Sequence, residues 1–207
     1  MVCTKCCLPE HNHHPVRSNH AHLAPPLIPH FTLYDTCLKP HSLADFLGAP
    51  IVLQWTHVAC ERSCHLEEYG TPQVTRNVAE QLGAQWLHIN SDWDAHYHLP
   101  AIERFRHRFD MRHPYLFDTG GLIARQLGVY MTPTVVVLDT RGIIAFHGTP
   151  FVDHTLEPSY NAPVGPVRRC LEELSRGETV TTPELPQRGR TIQVDPPEEA
   201  RRHAPQL

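Results

Sequence analysis

The 207-residue chain has no excess of positive charge: 18 Lys and Arg stand against 22 Asp and Glu, for a net charge of −4. No block of Lys and Arg occurs either, so the electrostatic footprint of a nucleic-acid binder is missing. No apolar run approaches the roughly 20 residues that span a bilayer, and no membrane partner is expected. The opening MVCTKCCLPEHNHHPVRS lacks the apolar stretch of a secretory signal, which sets the expectation of a cytoplasmic protein. A Gly-rich phosphate loop and internal repeats are also absent, which removes P-loop and solenoid architectures.

What is present is unusual in two residue types. Seventeen histidines make the net charge sensitive to pH near 6.5, and they far outnumber what one catalytic site uses. Seven cysteines, an odd number, point in a reducing compartment to catalysis or metal binding rather than a disulfide framework. A hydrophobic content of 41% over this length can bury a core in one domain and leave tails over.

The chain divides into three parts. Residues 1–29 form a Cys/His/Pro-rich arm without apolar periodicity. Residues 30–176 carry the periodic pattern of a folded domain, and residues 177–207 read as a strap giving way to a tail. Within the domain, FTLYD alternates as a strand, and HSLADFLG is a helical turn with Ser42 as N-cap and Gly48 as terminator. IVLQWT is a buried central strand beginning at Ile51. A helix is expected from roughly Cys60 to Leu82, with Leu66, Tyr69, Val74, Val78 and Leu82 on its apolar face and a kink at Pro72.

QWLHIN and HPYLFD follow as strands, separated by the polar loop SDWDAHYHLP, long enough to carry function, and by the helix AIERFRHRFDM. GGLIARQLG is a helix. YMTPTVVVLDTRGIIAFHG is two strands joined by the turn DTRG, and PVGPVRRCLEELSRG is a closing amphipathic helix with Val167, Cys170, Leu171 and Leu174 on one side. Trp55 and Trp86 are assigned to the core and Trp93 to the lining of a site. The order gives an α/β fold, a mixed sheet flanked by helices with extended arms at both ends.

The chemistry concentrates in WTHVACERSCHLEEYG. Cys60 lies where a buried strand ends and a helix starts, and backbone N–H groups and the helix dipole there favour an anion. Such a position lowers a thiol pKa from about 8.5 into the range of roughly 3.5–7.5. Cys64 follows one helical turn later on the same face. Electron exchange, metal ligation and simple packing all use such a pair, and the placement disfavours packing.

The run FTLYDTCLKPHSLADFLGAPIVLQWTHVACERSC resembles the entry of the redoxin branch of the thioredoxin-like superfamily, the AhpC/TSA and TlpA-type proteins. YMTPTVVVLDTRGIIAFHG is similar to that superfamily's cis-proline loop and hairpin, with Thr132 and Pro133 in the cis-proline positions. The resemblance spans about residues 30–176. It implies a thioredoxin-like fold, Cys60 as the attacking thiolate, Cys64 as the resolving thiol, and Pro133 packed beside them. It also implies a protein or small-molecule disulfide as substrate, a thiol as reductant, and no required cofactor.

The three-residue spacing in CERSC is similar to that of the Sco-type copper chaperones, which implies a metal carrier using Cys60, Cys64 and a histidine. Thr132 or Pro133 stands where that family has its histidine, leaving His57, His65, His147 and His154 as substitutes. The peroxiredoxin T-x-x-C pattern is not met, because Thr56 precedes Cys60 by four residues, and a peroxide-reducing enzyme ranks third. Separately, Cys3, Cys6, Cys7, His11, His13 and His14, with His20 and His22 beyond them, form a candidate site for zinc or copper. Cys37 and Cys170 are read as incidental or buried.

Overall fold

The computed structural model describes residues 28, 30–150 and 165–198. The candidate metal ligands Cys3, Cys6, Cys7, His11, His13 and His14 lie outside the described residues, as do His20, His22 and His154.

Seven strands form one mixed sheet. β1 (Thr32–Asp35) and β2 (Pro40–Ser42) make an antiparallel hairpin, and β3 (Ile51–Trp55), β4 (Gln85–Asn90) and β5 (Tyr115–Phe117) run parallel. A short β6 (Met131–Thr132) precedes the antiparallel pair β7 (Thr134–Leu138) and β8 (Ile144–Gly148). The sheet order is β2-β1-β5-β4-β3-β7-β8. β3 is central and fully buried, as its β-branched and aromatic run requires.

Alternation along β3 serves two cores. Ile51, Leu53 and Trp55 face one layer with Ile89, Leu116 and Val136, whereas Val52 faces the other with Trp86, Val137 and Phe146. The expected hairpin turn DTRG stands between β7 and β8. The turn after β2 is a single 3-10 turn, Leu43–Asp45, held by a reciprocal cap: Ser42 Oγ accepts the Ala44 N–H and Asp45 accepts the Ser42 N–H.

The single helix expected from Cys60 to Leu82 is two helices, α1 (Glu61–Glu68) and α2 (Thr71–Gln81). Gly70 takes the left-handed conformation at φ +73° between them. Pro72 falls in the first turn of α2, where its missing N–H costs nothing, so it starts a helix instead of kinking one. The break rotates the apolar face. Leu66 is buried, but Tyr69 and Val74 are exposed, and α2 buries Thr75, Arg76 and Ala79. Arg76 tolerates burial because its guanidinium grips Glu67 of α1 with two hydrogen bonds, at 2.8 and 2.9 Å.

α3 (Leu99–Arg108) and α4 (Leu122–Gln126) follow β4 and β5, and α5 (Pro166–Ser175) buries Val167, Cys170 and Leu171 as expected. β9 (Arg190–Thr191), in the strap, pairs antiparallel with β6. Ile192 beside it belongs to the same core cluster as Leu53 and Trp55.

Candidate active site

The parallel strands β3 and β4 end side by side, and their final residues are fixed by buried polar bonds. Tyr115 Oη donates to the Thr56 carbonyl at 2.9 Å, and Trp55 Nε1 donates to Ser91 Oγ, also at 2.9 Å. The chain leaving β3 turns at residues 57–60, where the Cys60 N–H returns to the His57 carbonyl at 3.0 Å. Cys60 is thereby the N-cap of α1, in extended backbone at φ −82° and ψ 107°, and its carbonyl accepts the Cys64 N–H.

Cys60 is 1% exposed, and its Sγ–H donates to the Thr132 carbonyl at 3.1 Å. Burial pushes this thiol up, but the hydroxyls of Ser63 and Thr132 and the backbone N–H groups of Ser63 and Arg190 outweigh it. The resulting pKa lies below the ordinary thiol value. Both hydroxyls are buried and have no other hydrogen-bond partner, which leaves them to the sulfur. Cys64 behaves in the opposite way. It is partly buried, its Sγ–H donates to the Val58 carbonyl at 3.4 Å, and burial together with the charges of Cys60 and Glu68 raises its pKa. Neither cysteine is in a disulfide, and the pair carries one readily ionised thiol and one reluctant one.

The Thr132–Pro133 peptide bond is cis, as the resemblance implied, and places the Thr132 carbonyl over Cys60. Of the substitute histidines, His57 is buried on the turn that leads into Cys60, His65 is exposed on α1, and His147 lies on β8 against the strap. His57 Nδ1 accepts the Ala59 N–H at 3.0 Å, which assigns the proton of the neutral ring to Nε2. That nitrogen faces Asp92 Oδ2 at 3.9 Å. Burial holds the imidazole below its ordinary pKa against the raising effect of Asp92, while Arg190 adds to the lowering.

Three residues of the candidate site had no expectation attached. Ser63 was in view inside CERSC but read only as a spacer. Asp92 lies in the loop flagged for its length, where Trp93, half-buried, donates its N–H to Gln193 of the strap. Arg190, which binds both Asp92 oxygens at 2.9 and 3.0 Å, sits in a segment with no periodic signal at all.

The profile of the AhpC/TSA family matches residues 27–147. The chain belongs to the AhpC/TSA family. Among curated proteins there is no match. Solved structures share the fold at low identity. A hypothetical protein from Sinorhizobium meliloti 1021 is 20% identical, with a TM-score of 0.70 over 84% of this chain and 95% of that one. An uncharacterized conserved protein from Geobacillus kaustophilus is also 20% identical, with a TM-score of 0.70 over 84% and 93%. A chain from Chlorobium tepidum described as a thiol:disulfide interchange protein DsbE is 18% identical, with a TM-score of 0.53 over 74% and 95%. This AhpC/TSA chain thus has the thioredoxin-like mixed sheet flanked by helices.

Proposed function

We propose that this AhpC/TSA protein is a thiol–disulfide oxidoreductase in which Cys60 attacks and Cys64 resolves. The supporting observation is the contrast within one helical turn: Cys60 at the N-cap has a lowered pKa and a surround of donors, and Cys64 has a raised one. The Cys60 thiolate attacks one sulfur of a substrate disulfide, the S–S bond breaks, and the leaving thiolate takes up a proton from solvent. A mixed disulfide remains on Cys60. Cys64 loses its proton and attacks the Cys60 sulfur, releasing the second substrate thiol and closing a Cys60–Cys64 disulfide. The substrate gains two electrons and the protein loses two, which an external thiol reductant restores.

Asymmetry in pKa suits this order. The first nucleophile ionises the more easily of the two, and the charge that helps to raise the second thiol disappears once Cys60 is tied up in the mixed disulfide. His57 lies on the loop before Cys60 as a neutral ring, its Nδ1 engaged by the Ala59 N–H and its Nε2–H facing Asp92. In a coupled assay with a thiol donor, Cys60→Ser is expected to lower disulfide reduction by at least roughly a thousandfold. Cys64→Ser is expected to trap the mixed disulfide on Cys60, visible as a mass increase of one substrate thiol. Full turnover by Cys60→Ser would refute the assignment.

A second reading is metal carriage: ligand atoms of His57, Asp92 and Asp94 lie within 4.8 Å of one another, a group that includes neither Cys60 nor Cys64. That donor set is already engaged, Asp92 by Arg190 and Asp94 by His98 Nε2 at 3.0 Å. Titration of the reduced protein with Cu(I) separates the readings, since carriage requires tight binding that Cys60→Ser and Cys64→Ser abolish.

A further inference from the structure

The thiol lies beneath the C-terminal strap, and the way the strap is fastened bears on what Cys60 can meet. After α5 the strap first lies along the outer edge of β8: the His147 N–H donates to the Pro183 carbonyl at 2.9 Å, and the Leu185 N–H donates to the His147 carbonyl at 3.0 Å. It then crosses to the cis-proline loop. There Gln187 Oε1 accepts the N–H groups of Tyr130 and Met131 at 2.9 and 3.2 Å, and its Nε2 donates to the Gly128 carbonyl. Gly189 passes so close that a Cβ would stand 1.9 Å from the Thr132 carbonyl oxygen. β9 then pairs with β6, Thr132 against Arg190, and the Arg190 side chain locks onto Asp92.

The edge of β6 lies beside Cys60, since Thr132 at its end carries the carbonyl that bonds Cys60 Sγ. An extended polypeptide delivering a disulfide to that sulfur would gain its main-chain affinity by pairing with such an edge. The strap already occupies it. A segment tethered in the same chain acts at an effective concentration on the order of millimolar, so a micromolar peptide of equal pairing strength is outcompeted by roughly a hundredfold or more. A small disulfide needs no strand pairing and is spared this competition.

We propose that the strap is a specificity element that fills the strand position of a polypeptide substrate, and that Cys60 is thereby reserved for low-molecular-weight disulfides. The inference rests on the thiol–disulfide reading but is separately testable. Two probes with the same leaving group compare the classes: 5,5′-dithiobis(2-nitrobenzoate), and a ten-residue extended peptide whose single cysteine is activated as its thionitrobenzoate mixed disulfide. Mass spectrometry reports the modification rate of each cysteine separately. The exposed Cys37 serves as the internal reference for the intrinsic reactivity of the probes.

In the wild type, Cys60 is expected to favour the small probe over the peptide by at least thirtyfold more than Cys37 does. Gln187→Ala, which unties the strap from the 128–134 segment, and Gly189→Ala, which pushes it off Thr132, are each expected to shrink that preference at least tenfold. Continued protection of Cys170 certifies the fold of each variant. A wild-type Cys60 whose preference equals that of Cys37, or folded variants that leave the preference unchanged, would overturn the proposal. If the preference holds but catalytic turnover with a thiol donor is absent, the oxidoreductase reading fails and the strap proposal stands. Turnover without preference gives the converse.

Discussion

Cys60 at the start of α1 and Cys170 within α5 are equally hidden, each 1% exposed, yet their thiols are driven in opposite directions. Burial raises both. For Cys170 nothing opposes it, and the nearby charge of Glu173 adds to it, so the pKa is pushed up to about 12. For Cys60 two hydroxyls and two backbone N–H groups reverse the sign. The thiol of a buried cysteine is therefore raised or lowered according to the donors around it: the N-terminal turn of α1 supplies two of them to Cys60 through Ser63, and the cis-proline loop and the strap supply the others.

That comparison can be broken most visibly by alkylation. With iodoacetamide at pH 7.5, Cys60 is expected to react at least roughly a hundredfold faster than Cys170, because the fraction of thiolate governs the rate. Comparable rates, read by peptide mass spectrometry, would remove the distinction. Ser63→Ala sharpens it. A hydrogen bond to a charged group contributes about 1.5–3 kcal/mol, so loss of this hydroxyl is expected to slow Cys60 alkylation at pH 7 roughly tenfold and to move its midpoint upward. The rate at Cys170 should not change.

Stability against pH should show the same opposition. For Cys60, with a folded pKa below the unfolded value of about 8.5, the contribution is present above that value and is lost as pH falls through the folded midpoint. For Cys170 it is present below about 8.5 and is lost as pH rises toward the folded value of about 12. Urea unfolding of Cys60→Ala and Cys170→Ala against the wild type measures both slopes, and slopes of the same sign would contradict the assignment. The smallest effect is that of Cys170→Ala at pH 7. It is expected to cost about 1 kcal/mol for the packing lost in the α5 core and to leave disulfide reduction within about twofold of wild type.

Much of the frame was legible because its signals are local. The buried run at Ile51–Trp55, the hairpin around DTRG, the Ser42 cap and the Thr132–Pro133 loop each announce themselves within a few residues. The helix break at Gly70 was missed because an apolar spacing of three to five residues continued across it, while the glycine and the proline two residues later were the better guide. The burial of Arg76 was hidden for a different reason, since it depends on Glu67 meeting it from the neighbouring helix. Asp92 and Arg190 meet across 98 residues of sequence, and no periodicity encodes such a contact. Ser63 lay in plain view between the cysteines. Only the position of its hydroxyl, buried without a partner next to the sulfur, reveals what it does.

The most direct test of the central claim is the thiolate absorbance at 240 nm, followed against pH as the difference between the wild type and Cys60→Ser. The expected result is a first ionisation with its midpoint below the ordinary thiol value of about 8.5, shifted upward in Ser63→Ala. A midpoint at or above that value in the folded wild type would contradict the claim that Ser63 at the start of α1, the Thr132 hydroxyl and the Arg190 N–H favour the Cys60 anion.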